Sequence, residues 1–193
     1  MAEVPSTFTL ELGQPAPQFN LPDGNGNQYG LNEIKGPKGT FVAFVCNHCP
    51  FVVHLAKQLA DVANEYKELG INTVAISSND VANYPQDSPE KMLEFAAEYG
   101  WDFPYLYDET QLVAHAYSAA CTPDFFLFDA DGNLYYAGQF DDSRPNNNKE
   151  INGEDLTNAM KNLIAGRSPE SNFKPATGCN IKWKAGNEPN YFA

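Results

Sequence analysis

With 193 residues, 42% of them hydrophobic, the chain is long enough to bury a core as one domain without disulfide staples. Its 25 acidic residues against 12 basic give a net charge of −13, which repels phosphate backbones and anionic lipid, so neither nucleic acid nor a membrane is an expected partner. The opening Met-Ala-Glu-Val-Pro-Ser-Thr-Phe has neither a basic stretch nor an apolar core, and no apolar run reaches membrane-spanning length, which together predict a cytoplasmic protein.

In chain order, residues 13–24 alternate Phe19 and Leu21 between turn formers. They predict a short strand, a turn through Asp23-Gly24-Asn25-Gly26, and a returning strand carrying Tyr29 and Leu31. The apolar run Thr40–Val45 predicts a buried strand, followed by Cys46-Asn-His-Cys49-Pro50. After it, Val52, Leu55, Leu59, Val62, Tyr66 and Leu69 recur at helical spacing, with Lys57, Gln58, Asp61, Glu65 and Glu68 on the other side and Gly70 at the end. Ile71–Ser77 is a β-branched run suited to a parallel strand, which completes a strand-helix-strand unit. Ser88-Pro89-Glu90 opens a helix with Met92, Phe95, Ala96 and Tyr99 inward and Gly100 as its stop.

Phe103–Tyr107 reads as a short strand, and Thr110 as the cap of a helix with Leu112, Val113, Ala116 and Tyr117 inward. The run from Cys121 to Asp129 starts with Thr122-Pro123, and Asp131-Gly132 turns it into a hairpin with Leu134–Ala137, giving an antiparallel edge. Asn152 is expected to cap a last helix with Leu156, Ala159, Met160, Leu163 and Ile164 on one face, ended by Gly166. Residues 167–193 lack periodicity and are expected as a tail packed on a single domain spanning residues 1–193.

The chemistry centres on Cys46 and Cys49. A strand feeding two cysteines into a helix start places sulfur beside unpaired N–H groups and the positive end of the helix dipole, which favour thiolate. The two-residue spacing brings the sulfurs within disulfide reach. Cys46 is expected at the exposed first turn as nucleophile, Cys49 towards the core, and His48 as a residue that tunes their acidity. Cys121 and Cys179 are candidates for an additional redox thiol, with packing as the plainer role for Cys121. They stand apart rather than as a second close pair, so no metal site is expected. His54 and His115 lie off their apolar stripes and are expected at the surface, and Asp141-Asp142-Ser143-Arg144 as a solvated loop.

A strand, Cys-x-x-Cys at a helix start and a later Thr-Pro opening a hairpin resemble the thioredoxin fold, an α/β class with a central mixed sheet flanked by helices. More narrowly, Gly13-x-x-Ala16-Pro17-x-Phe19-x-Leu21, the insertion over residues 80–118 and Thr122-Pro-Asp-Phe-Phe-Leu-Phe-Asp129 resemble the AhpC/TSA-like redoxin branch. Cys46-Asn-His-Cys-Pro50 with the tail Gly178-Cys-Asn-Ile-Lys-Trp183 is similar to a smaller subgroup. The resemblance implies a cis Thr122–Pro123 bond facing the cysteines, with the Thr122 backbone offered to an extended substrate and metal kept off the thiols. It also implies a cofactor-free thiol–disulfide oxidoreductase acting on protein or small-molecule disulfides, resupplied by a thiol electron donor. Two departures qualify it. No acid lies in Thr40–Val45 to take a proton from Cys49, which leaves His48 or water. The peroxiredoxin pattern Pro-x-x-x-Thr/Ser-x-x-Cys precedes neither Cys46 nor Cys49, so thiol peroxidase is the alternative, ahead of a non-catalytic binding or metal-binding module.

Overall fold

The computed structural model describes residues 3–7 and 9–192. Its main sheet has five strands: β4 (Gly39–Phe44), β5 (Ile71–Ser77), β6 (Tyr105–Tyr107), β8 (Asp124–Asp129) and β9 (Leu134–Tyr136). They lie in the order β6-β5-β4-β8-β9, with β4, β5 and β6 parallel, β8 antiparallel to β4, and β9 antiparallel to β8. This is the mixed sheet the sequence predicts. Successive residues of a strand face opposite ways, and the core divides accordingly. Phe41, Ala43, Ile71, Ala75, Phe125 and Leu127 pack with α2 (Pro50–Glu68), α3 (Pro89–Tyr99) and α5 (Glu154–Ile164). On the other face Val42, Phe44, Val74, Ile76, Phe126 and Phe128 pack with α1 (Leu31–Ile34) and α4 (Leu112–Ala116). Helices on both faces explain why β4 is buried along its whole length and reads as an unbroken apolar run.

The long helix α2 forms as its periodicity predicts. Cys49 is its N-cap residue, Pro50 takes the first helical position where a missing N–H costs little, and Gly70 follows its end at φ +95°. Ser88 caps α3 by accepting from the Lys91 N–H at 3.3 Å. The hairpin of β2 (Asn20–Pro22) and β3 (Gln28–Gly30) also forms, but Leu31 opens α1 instead of ending the returning strand, because its side chain drops into the second core.

Two expectations fail locally. In α4, Leu112 is 66% exposed and Ala116 is exposed, while Ala114 and Tyr117 are buried. The residue before the helix is Gln111, at φ 65° and with no side-chain cap hydrogen bond, rather than a Thr110 cap. Residues 141–144 are not a solvated loop. The buried Asp141 carboxylate accepts from the N–H groups of Ser143, Asn152 and Gly153 and so closes the chain around the start of α5. The aperiodic tail contains β10 (Thr177–Asn180), the middle strand of a second, antiparallel sheet between β1 (Glu3–Pro5) and β7 (Cys121–Thr122). A Cβ on Gly178 would overlap the Thr122 carbonyl, so this close pairing requires glycine there.

Candidate redox site

The loop between β4 and α2 is held from outside its own segment. Residues 85–87, a single 3-10 turn before α3, place Asp87 beneath it. One Asp87 oxygen accepts the N–H groups of Asn47 (2.8 Å) and His48 (3.2 Å). The other accepts from Asn79 Nδ2 at 2.9 Å and meets His48 Nδ1 at 2.5 Å. Burial pushes the Asp87 carboxyl up, but hydrogen bonds from His48, Asn79 and Asn47 outweigh it and leave the group below its ordinary value. As a carboxylate, Asp87 has no proton to give, so Nδ1 of His48 carries one. His48 can therefore accept a proton only at Nε2. Its ring stacks on Tyr84 at 5.6 Å, with Lys182 Nζ 5.8 Å from the Tyr84 ring.

Thr122–Pro123 is a cis peptide bond, and Thr122 sits over the sulfurs of both Cys46 and Cys49. Cys46 Sγ lies 3.6 Å from Thr122 Oγ1 and 3.9 Å from His48 Nδ1, and the Cys49 thiol donates to the Thr122 carbonyl at 3.2 Å. Cys46 is not at an exposed first turn. It lies three residues before the helix cap and is only 1% exposed, under Thr122 and His48. The proton affinities also differ from the expectation. The neighbouring Cys46 thiol draws Cys49 down to about 5 against the cost of burial, with Thr122 and Cys179 assisting. Cys46 is raised by Cys49, by burial and by the Asp87 charge. The two thiols are thus shifted in opposite directions, and it is Cys49 that caps α2, where the helix dipole favours an anion.

Cys179 is buried opposite Thr122 in the β10–β7 ladder. The backbone edge that the resemblance reserves for an extended substrate is thus filled by the chain's own tail. Cys121 is buried in the sheet, donates to the Pro123 carbonyl at 3.4 Å and is pushed up by burial, an environment that favours packing. His54 and His115 do not join the thiols. His54 Nε2 pairs with Ser143 Oγ at 3.0 Å, and His115 donates to the Asn187 carbonyl at 2.6 Å while meeting the Trp183 ring edge-on. The buried acid absent from β4 has a counterpart on β8. Asp124 stands opposite Phe44 and shares a strand face with Phe126, away from the thiol-bearing core. Burial raises it to about 7.

Cys46, His48 and Asp87 bring three donor atoms within 4.8 Å of one another. Such a set could hold a divalent ion, but here His48 and Asp87 bind each other and Asn79 takes a further Asp87 lone pair. The sequence reading missed Asp87, Asn79, Tyr84 and Lys182. A signal existed for Asn79 alone, since it follows the carboxyl end of β5, where open α/β sheets form their sites.

The chain matches a solved structure of an uncharacterized conserved protein from Geobacillus kaustophilus at 49% identity and TM-score 0.92, covering 95% of this chain and 97% of that one. It is 28% identical over 154 residues to peroxiredoxin Bcp of Escherichia coli, covering 74% of this chain and 92% of that protein. It is 31% identical over 126 residues to thiol-disulfide oxidoreductase ResA of Bacillus subtilis, covering 65% of this chain and 66% of that protein. The mixed sheet with its flanking helices is the thioredoxin fold. The AhpC/TSA family model matches residues 12–137, which take in the cysteine pair, the Asp87 insertion and the cis-proline strand, and the chain belongs to the AhpC/TSA family.

Proposed function

We propose that the chain is a thiol–disulfide oxidoreductase in which Cys46 and Cys49 form the dithiol/disulfide couple. The observation that carries this reading is the Cys-x-x-Cys pair at the start of α2 with Thr122 of the cis Thr122–Pro123 bond against both sulfurs. In the reductive direction Cys46 gives up its proton to water, and the Cys46 thiolate attacks one sulfur of a substrate disulfide. The substrate's other sulfur leaves as a thiol after taking a proton from water. Cys49 then loses its proton and attacks Cys46 in the mixed disulfide, releasing the second substrate thiol and closing Cys46–Cys49. Cys46 is the outer thiol because it borders the part-exposed His48, whereas Cys49 borders the Thr122 carbonyl and Cys179. Thr122 and Pro123 position both sulfurs, and His48 with Asp87 sets the charge around Cys46. Substrates are disulfides of proteins or small molecules, and the oxidised pair is returned by a thiol donor.

The test is reduction of glutathione disulfide and of a model protein disulfide by wild type, Cys46→Ser and Cys49→Ser, with mass mapping of the oxidised wild type. Turnover lost in both variants and a Cys46–Cys49 disulfide in wild type are expected. Turnover that survives in Cys46→Ser, or a wild type that never forms that disulfide, overturns the reading. The relative named a peroxiredoxin favours peroxide reduction as a second reading, tested by hydrogen peroxide consumption in the same three proteins.

A further inference from the structure

Cys179 has no part in the scheme just given, yet it occupies a particular place. β10 pairs antiparallel with β7 so that Cys179 is directly opposite Thr122, and residues directly opposite in such a ladder send their side chains to the same face. The Thr122 side chain on that face reaches Cys46 Sγ at 3.6 Å, and the Thr122 carbonyl accepts from the Cys49 thiol at 3.2 Å. β10 also packs against α2, which Cys49 caps. The strand is fixed on both edges, by β1 and by β7, and Ile181 N–H donates to the Ala120 carbonyl at 3.2 Å just beyond it. The tail therefore lies along the cis-proline edge as an extended segment carrying one cysteine at the thiol pair. The Cys49 and Cys179 thiols interact, which pulls Cys49 down and, with burial as the larger cause, pushes Cys179 up to about 12.

We propose that β10 is a built-in substrate strand and Cys179 an internal acceptor of the active-site disulfide, through a second disulfide, Cys49–Cys179. The proposal rests on the oxidoreductase reading, because it starts from the Cys46–Cys49 disulfide. Cys179 gives up its proton and its sulfur attacks Cys49 Sγ. The Cys49–Cys179 bond forms, the Cys46–Cys49 bond breaks, and Cys46 departs as a thiolate that takes up one proton. No electrons enter or leave, and one disulfide replaces another. Cys46 is thereby returned to its reduced form while the oxidising equivalent is held between Cys49 and Cys179, and Cys46 is ready for a second disulfide before any donor has acted.

Full-length wild type and Cys46→Ser, each shown to be folded by circular dichroism, are oxidised with glutathione disulfide, quenched by acid at intervals and mapped by non-reducing digestion and mass spectrometry. In Cys46→Ser two thiols disappear together and a Cys49–Cys179 cross-linked peptide appears, whereas Cys46→Ser/Cys179→Ser accumulates Cys49 as a glutathione adduct. In wild type the Cys46–Cys49 peptide appears first and the Cys49–Cys179 peptide grows at its expense. If Cys46–Cys49 forms but never passes to Cys179, and Cys46→Ser yields only the glutathione adduct of Cys49 or a link to Cys121, the internal acceptor is overturned and the oxidoreductase reading stands. If wild type forms no Cys46–Cys49 disulfide, both fall.

Discussion

Asp87 and Asp124 are both buried, yet their carboxyl groups shift in opposite directions: Asp87 below its ordinary value and Asp124 up to about 7. Desolvation is the first cause at both. At Asp87 it is overcome by the His48 ring N–H, the Asn79 amide and two backbone N–H groups. At Asp124 the donors are backbone N–H groups and the Ser6 hydroxyl, and burial wins. The two buried acids have separate jobs. Asp87 stays charged and organises the loop that carries the thiols, whereas Asp124 ties the approach to the cis-proline at Ala120 and changes charge near neutrality.

Asp87→Ala removes the charged member of the two. It leaves the amides of Asn47 and His48, the Asn79 side chain and His48 Nδ1–H without their acceptor, and stability is expected to fall by about 3–5 kcal/mol, as when one partner of a buried pair is removed. Urea unfolding measures it, and a loss below about 1 kcal/mol would show that the carboxylate does not organise the loop. Next comes pH. Asp124 binds its proton more tightly folded than unfolded, so its contribution is greatest below the ordinary carboxylate value of about 4 and is lost as pH rises to about 7, by a few kcal/mol. Asp124→Asn should flatten the wild-type decline in that window. Asp87 has the opposite sign. Its contribution is present above the ordinary value and lost as pH falls through the lowered one, so Asp87→Asn should weaken only the acid-side dependence.

Asn79→Ala is a smaller lever. Asn79 donates to Asp87 and accepts the Lys182 N–H at 2.9 Å, joining the insertion to the tail, and its loss should cost about 2 kcal/mol in the same urea assay. The smallest effect is electrochemical. The Asp87 charge opposes a thiolate on Cys46, so at a pH above both values Asp87→Asn should stabilise the reduced pair and make the couple more positive, by about 30 mV for each unit of thiol pKa lowered. A glutathione redox titration giving an unchanged or more negative potential counts against that role.

Much of this arrangement is written locally. The apolar run of β4, the spacing from Val52 to Tyr66 and the proline after Cys49 specify strand, loop and helix within one stretch, so the cysteine pair is legible in the residues themselves. The Thr122–Pro123 strand is equally plain. What surrounds the pair is not. Asp87 belongs to a three-residue turn with no period of its own, and its importance comes from Asn47 and His48, some forty residues earlier. β10 is a four-residue strand, Thr-Gly-Cys-Asn, with no apolar alternation, held by strands from two other parts of the chain. The burial of Cys46 escapes a local reading for the same reason: Thr122, which covers it together with His48, is distant in sequence.

The ladder of β1 with β10 has a mechanical side. Glu3 lies opposite Cys179, and the chain leaves β10 through Asn180 at that same end. Opposed tension on residues 3 and 192 would first strip the anchors of Ile181, Lys182 and Tyr191. It would then part β1 from β10 one pair at a time, like a zipper, because the load enters at one end of the ladder and is not shared along it. The five-stranded sheet would still be intact while the strand bearing Cys179 was already losing one of its two neighbours. Handles or tethers attached near those two ends would therefore register on Cys179 before they registered on Cys46 or Cys49.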